Sequence, residues 1–167
     1  MRVAIIMGST SDLPKMEAAV DILKSYGVAV DVRCLSAHRA HAGLSAFIEE
    51  ADHNGTEVFI TAAGMAAALP GVVASQTVTP VIGVPLSGSV LDGMDALMSI
   101  VQMPPGIPVA TVGINASLNA AILAAQMLAV ADENIAKKVV DYKEGLKKKI
   151  AKANEDLKEI KYNFKTN

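Results

Sequence analysis

The sequence predicts an α/β fold: a three-layer α/β/α sandwich around a five-stranded parallel sheet, with a long helix at the C-terminus. Two observations carry this prediction. Short β-branched runs alternate with Ala-rich stretches of helical spacing, the pattern of successive βαβ units. Most of those runs are continuously apolar, as strands are when helices cover both faces of their sheet.

The strands are expected at Val3–Met7, Val28–Leu35, Glu57–Ala62, Val81–Val84 and Val109–Ile114. Helices are expected near Leu13–Tyr26, Gly43–His53, Leu69–Gln76, Gly93–Met103 and Leu118–Ala131. Gly27 and Gly55 follow the first two helices, where a left-handed C-cap is wanted. Short connections and right-handed crossovers favour a flavodoxin-like or Rossmann-like winding. In such sheets the ligand lies at the carboxyl ends of the strands, so the loops after the first four strands are the place to look for function.

Two helices point beyond a single chain. Leu118–Ala131 is apolar nearly all round, so it is expected to be buried on every side, in part by another subunit. From Glu133 to Lys161, apolar residues at Ile135, Val139, Tyr142, Leu146, Ile150, Leu157 and Ile160 mark one helical stripe. Such a helix is roughly 40 Å long, whereas the compact domain has a radius of gyration of about 15 Å. The chain therefore divides into a catalytic α/β domain over 1–131 and a helical extension over 132–167. The far end of that extension is expected to pack on a neighbouring copy; the alternative is a solvated tail around Lys147-Lys148-Lys149.

Composition bounds the function. The chain has 167 residues, enough for one domain with a substantial core. Aromatic residues make up 4% and Trp is absent, so that core is aliphatic. A net charge of -2 with no basic face gives no reason to expect nucleic-acid binding. The lone Cys34 cannot form an internal disulfide, which favours a cytoplasmic setting. Arg2 is followed by only five apolar residues before Gly8, too few for a signal peptide, and no apolar run is long enough for a membrane span.

The chemistry-bearing residues gather in the loops. Gly8-Ser9-Thr10-Ser11-Asp12 runs from the first strand into a helix with Pro14 in its first turn. Free amides and the positive end of the helix dipole make this an anion site, with the serine hydroxyls as further donors. Asp12 is a suitable acceptor for ribose hydroxyls, and capping alone would explain one small polar residue rather than four. After the second strand, Ser36-Ala37-His38-Arg39 sets an imidazole beside a guanidinium. Arg39 can pair with a phosphate, and His38 can move protons near neutral pH. His41 could enter the same cleft or begin the next helix.

The third loop, from Ala63 to Gly71, is small and apolar and can offer backbone amides without crowding a ligand. Pro85-Leu86-Ser87-Gly88-Ser89 supplies hydroxyls, and Gln102-Met103-Pro104-Pro105-Gly106 could form a lip over the cleft. No Cys/His cluster has metal-ligand spacing, no acidic pair suggests a divalent cation, and there is no dinucleotide fingerprint. The expected chemistry needs one phosphorylated substrate and a proton-transfer group, with no cofactor.

Taken together, Gly8-Ser9-Thr10-Ser11-Asp12, Ser36-Ala37-His38-Arg39, Ala63-Gly64 with Ala66-Ala67, Leu69-Pro70-Gly71, Gly83-Val84-Pro85 and the segment Ser99–Pro108 resemble one family. It is the class I N5-carboxyaminoimidazole ribonucleotide mutase, the catalytic subunit of phosphoribosylaminoimidazole carboxylase. The likeness runs from residue 2 to about 131. It implies interconversion of N5-carboxyaminoimidazole ribonucleotide and 4-carboxy-5-aminoimidazole ribonucleotide in purine synthesis, without metal or ATP.

By the resemblance, Ser9, Ser11 and Arg39 hold the phosphate, Asp12 holds the ribose and His38 is the acid/base. Ser36, Ala37, Gly64, Ala66, Ala67 and Leu69 complete the substrate site. The resemblance also implies a cytoplasmic homo-octamer with exchanged C-terminal helices. This chain departs from the pattern at two places: Ala68 stands where the family usually has His, and Ala40-His41-Ala42 replaces the usual Thr-Pro-Asp. The second departure makes His41 a candidate substitute for the missing imidazole. Rival readings are a direct CO2-using carboxylase, the carboxylase that begins nickel-pincer cofactor synthesis, and a nucleotide-binding module that has lost catalysis.

Overall fold

The structure is a computed structural model that describes residues 1–88 and 90–158. Five strands and six helices alternate in chain order: β1 (Arg2–Met7), α1 (Leu13–Ser25), β2 (Ala29–Cys34), α2 (His41–His53), β3 (Val58–Gly64) and α3 (Leu69–Ala74) come first. They are followed by β4 (Val81–Leu86), α4 (Met94–Val101), β5 (Ala110–Thr111), α5 (Ser117–Leu128) and α6 (Glu133–Lys158). A short 3-10 turn, Thr10–Asp12, joins β1 to α1.

The strands form one parallel sheet in the order β2-β1-β3-β4-β5. That order is the flavodoxin-like one and decides between the two windings the sequence left open. The chain steps from β1 outward to β2, then crosses back to lay β3 on the other side of β1. The loops after β1 and β3 therefore diverge to opposite faces, and a crevice opens between them.

Side chains alternate across the sheet with the two-residue period of a strand. In β1, Val3, Ile5 and Met7 pack toward α1, α5 and α6, while Ala4 and Ile6 pack toward α2, α3 and α4. In β3, Val58, Ile60 and Ala62 face the first layer, and Phe59 and Ala63 the second. Each such large apolar side chain taken fully out of water contributes about 1.5–3 kcal/mol. β2 is an edge strand, left partly or fully exposed along its length. Arg2 pairs with Asp31 at 2.7 Å, and the Arg33 guanidinium lies 5.1 Å from the centre of the Phe47 ring.

The structure corrects two expectations. The fifth strand is two residues long rather than six. Gly83 and Pro85 face it, and Pro85 has no N–H to offer at the next ladder position. Past Thr111 only isolated bonds continue, from the Val112 amide to the Gly83 carbonyl at 3.1 Å and from the Asn115 amide to the Pro85 carbonyl at 2.8 Å.

Much of the apolar circumference of α5 is covered by its own chain, because it lies in one core with α1 and α6. Ala120, Ala121, Ala124 and Ala125 are fully buried there, Ile122, Leu123 and Met127 are half-buried, and Gln126 is exposed. The second difference is the segment Gln102–Gly106. Met103 lies beside Gly71 of α3, and Gly106 lines a groove with Ser75 and Val81 at the amino end of β4. Within this chain it does not overhang the cleft at the carboxyl ends.

The overhang of α6 is plain. Ile135 and Val139 are buried against α5, and Lys138 donates to the Tyr26 carbonyl at 2.6 Å. From Leu146 to Lys158 every residue is exposed, about 20 Å of helix beyond the core. Ile160, the last residue of the expected stripe, lies outside the described residues. No described helix is long and apolar enough to cross a membrane.

Candidate active site

A cleft of about 580 Å³ opens at the carboxyl ends of β1, β2, β3 and β4. Four loops build its walls, and each contributes a different chemistry.

The turn after β1 contributes Gly8, Ser9, Ser11 and Asp12. Ser9 caps the 3-10 turn: its Oγ accepts from the Ser11 amide at 3.3 Å and lies 2.8 Å from the Ser11 Oγ. The Asp12 amide donates to the Ser9 carbonyl at 3.2 Å. The two hydroxyls thus stand side by side where α1 begins, at the positive end of its dipole. Asp12 precedes α1 without making a side-chain cap bond, so its carboxylate is not consumed by the helix. Burial pushes the Asp12 carboxyl above its ordinary range, against the opposing pull of the Lys15 ammonium and of the Ser9 backbone hydrogen bond.

Gly8 has no structural need to be glycine. Its φ is outside the left-handed region, and a Cβ there would meet no atom within 4 Å. The missing side chain leaves room on the cleft side.

The loop after β2 contributes Ser36, Ala37, His38 and Arg39. It folds as a tight turn in which the Ala40 amide donates to the Ser36 carbonyl at 2.8 Å. Arg39 reaches across to the first loop, with Nη2 3.4 Å from the Gly8 carbonyl and Nε 3.4 Å from the Ser36 Oγ. Both bonds are long and the residue is exposed, so the fork is free to turn to an anion. His38 is exposed on the same wall.

His41 is not among the residues lining the cleft. The helix begins at that residue, and the Leu44 amide already bonds the Ala40 carbonyl at 2.9 Å, so His41 is committed to the first turn of α2.

The loop after β3 supplies a wall of Ala63, Gly64, Met65, Ala66, Ala67, Ala68 and Leu69, with no charged group. A Cβ on Gly64 would come within 3.3 Å of the Leu86 carbonyl, so glycine lets the β3 and β4 ends close up. Met65 adopts φ 57 while 68% exposed, a conformation that packing does not explain. From β4 come Leu86, Ser87 and Gly88; Ser89 lies outside the described residues.

Two residues near the cleft escaped the sequence reading. Asn115 holds Ser87, its Oδ1 accepting from the Ser87 amide at 3.0 Å and its Nδ2 donating to the Ser87 Oγ at 2.7 Å. Lys15 donates to the Ser87 carbonyl at 2.5 Å. Lys15 could have been suspected from its place three residues after Asp12 on one helix face; nothing local singles out Asn115. Among the described residues no three His, Cys, Asp or Glu side chains converge as metal ligands would.

The arrangement can hold an anion between serine hydroxyls, helix amides and a guanidinium. A polyhydroxyl group can sit beside Asp12, and an imidazole faces the remaining volume. Residues 2–149 match the family described as AIR carboxylase. The chain is 56% identical over 159 residues to the N5-carboxyaminoimidazole ribonucleotide mutase of Methanocaldococcus jannaschii, covering 95% of this chain and 98% of that one. It is 49% identical to the N5-carboxyaminoimidazole ribonucleotide mutase of Thermotoga maritima, over 96% and 94% of the two chains. The crystal structure of Treponema denticola PurE superposes with a TM-score of 0.86 at 32% identity, covering 94% of this chain and 98% of that one.

Proposed function

Because this chain belongs to the AIR carboxylase family, we propose that it interconverts N5-carboxyaminoimidazole ribonucleotide and 4-carboxy-5-aminoimidazole ribonucleotide in purine biosynthesis. The observation that carries the reading is the position of His38 and Arg39 on one cleft wall with Ser9, Ser11 and Asp12. An anion clamp, a hydroxyl acceptor and one proton carrier are what a ribonucleotide undergoing carboxylate migration requires.

Ser9, Ser11 and Arg39 bind the phosphate, and Asp12 accepts from the ribose hydroxyls. Ser36, Ala37, Gly64, Ala66, Ala67 and Leu69 pack around the ring. The N–C bond to the carboxylate breaks and releases CO2, and the exocyclic nitrogen takes a proton from His38. Ring C4 then attacks the trapped CO2 and forms the new C–C bond. His38 removes the C4 proton, which restores the aromatic ring and returns the imidazole to its starting state. Protons and carboxylate balance, and no metal or cofactor enters a step.

An absorbance assay of the interconversion, with His38→Asn as control, tests the reading. A wild-type protein that binds the nucleotide but does not turn it over would support a non-catalytic module. Activity that depends on added bicarbonate would support direct carboxylation.

The quaternary reading belongs to the same proposal. The chain divides into the catalytic domain, 1–131, and the extension, 132–167, whose exposed Leu146, Ile150 and Leu157 dock on another copy of a cytoplasmic homo-octamer. Light scattering on the full chain and on Leu146→Glu checks it; an unchanged octamer in the variant, or a monomeric wild type, would count against docking.

A further inference from the structure

We propose that Lys15 is a positioning residue that clips the loop after β4 to the phosphate turn and so fixes one wall of the substrate cleft. The inference rests on the functional reading above but concerns a residue to which that reading gives no role.

Lys15 sits in the first turn of α1, three residues after Asp12, so the two side chains share one helix face. Its ammonium leaves that face to donate to the Ser87 carbonyl at 2.5 Å, a bond between residues 72 apart in the chain. On its other side, Ser87 is held by Asn115 through both its amide and its hydroxyl. Ser87 therefore has all three of its hydrogen-bonding groups engaged, and among the described residues Lys15 ties it to the α1 side. Next to it, Gly88 has φ 124, and a Cβ there would lie 3.7 Å from the Lys15 Nζ. Ser87 and Gly88 line the cleft, so the position of this wall depends on the clip.

Lys15 also acts on Asp12 through space, and its charge draws the carboxyl downward against the push of burial. The other charged or titratable side chains facing the cleft are His38 and Arg39, both from the loop after β2. The segment from Ala63 to Leu69 and the residues Leu86, Ser87 and Gly88 bring none. Removing the ammonium thus removes the one nearby positive charge on Asp12's own helix. The geometry gives Lys15 the duty of holding a wall, and its charge favours the ionised form of the ribose acceptor; neither is a step in bond making or breaking.

The test compares Lys15→Met and Lys15→Arg in the full-length protein. In Lys15→Met, KM for the nucleotide is expected to rise about tenfold with kcat held within roughly twofold, the signature of lost binding rather than lost chemistry. The acid limb of kcat/KM is expected to move to higher pH, because Asp12 then protonates more easily. Lys15→Arg keeps the charge and a donor and is expected to restore the acid limb and most of KM. A fall in kcat at constant KM, or no change in either, would overturn the proposal.

Amide hydrogen exchange over residues 86–93 supplies a readout independent of turnover: Lys15→Met should exchange faster there than wild type, and equal rates would overturn the clip. An inactive wild type sinks the functional reading, while the exchange comparison still decides the clip.

Discussion

Replacing Gly8 by alanine should leave the fold intact and weaken the proposed binding of the substrate phosphate. A Cβ built on Gly8 meets no heavy atom within 4 Å, and its φ lies outside the left-handed region that strains alanine. The folded state therefore loses nothing, and the unfolded chain becomes less flexible. Such a change stabilises by about 0.4–1 kcal/mol, which for a chain of this size raises Tm by at most about 4 °C. The added methyl group stands on the wall that also carries Ser9, Ser11 and Asp12. Displacing a phosphate from one charge-assisted hydrogen bond costs roughly 1.5–3 kcal/mol, or about 10- to 150-fold in affinity.

Gly83→Ala is the matched control. There the Cβ would come within 2.5 Å of Ile100 Cγ2 and 2.9 Å of Val109 Cγ1. Overpacking of that kind costs about 1–3 kcal/mol, and it lies in the core beneath α4 rather than in the cleft. Calorimetric unfolding and nucleotide titration on the two variants separate the effects. Gly8→Ala should bind weakly and melt at or above wild type, and Gly83→Ala should melt lower. If Gly8→Ala instead melts as low as Gly83→Ala while binding normally, the space beside Gly8 is not a ligand site.

Three further outcomes follow from the same geometry. His38→Asn should lower kcat by about 10²–10⁴, the usual contribution of a general acid–base, with nucleotide affinity nearly unchanged by titration; parallel loss of both would make His38 a binding residue. Asp12→Asn should raise Tm at pH 7 but not at pH 3. The folded carboxyl is shifted upward by burial, so its ionisation costs stability as pH rises from the unfolded value through the folded one. Asparagine escapes that cost above the window and gains nothing below it, and a lower Tm for the variant at pH 7 would reverse the sign. His41→Ala should leave turnover within about twofold, because the residue belongs to α2 rather than to the cleft lining; a loss larger than about tenfold in the same assay would restore it as the substitute imidazole.

How far these residues could be read from sequence depended on the range of the forces that place them. Val3–Met7 followed by Gly8 and three hydroxyl residues announces a buried strand and its turn within ten positions, and the structure begins β1 only one residue earlier. Ser36–Arg39 was legible for the same reason, since an imidazole beside a guanidinium at the end of an extended run has no packing explanation. The length of β5 was not legible. It depends on Pro85 across the ladder, and apolar spacing in 109–114 says nothing of its partner's missing donor. Sheet order was equally hidden, because no local pattern says on which side of β1 the third strand will lie. Lys15 and Asn115 act on Ser87 from 72 and 28 residues away, beyond the reach of any motif.

The strand order also explains how charge is apportioned in the cleft. With β1 between β2 and β3, the turn carrying Ser9, Ser11 and Asp12 is flanked on one side by His38 and Arg39 and on the other by the neutral run Ala63–Leu69. The proposed phosphate end therefore has its cation and its hydroxyls from the loops of adjacent strands. Toward β3 and β4 the cleft is lined by Ala, Gly, Met and Leu, with Ser87 already turned to Asn115. In the proposed reaction the carboxylate leaves as CO2, an uncharged molecule that is best retained by walls with few groups to hold competing water. Ala68 extends that neutral wall where the family usually places an imidazole, and among the described residues His38 is the one imidazole lining the cleft. One imidazole is enough for the two proton transfers only if it serves them in turn, giving a proton to nitrogen before taking one from carbon. In the proposed mechanism the neutral wall and His38 are thus complementary: one proton carrier works beside an uncharged surface suited to CO2.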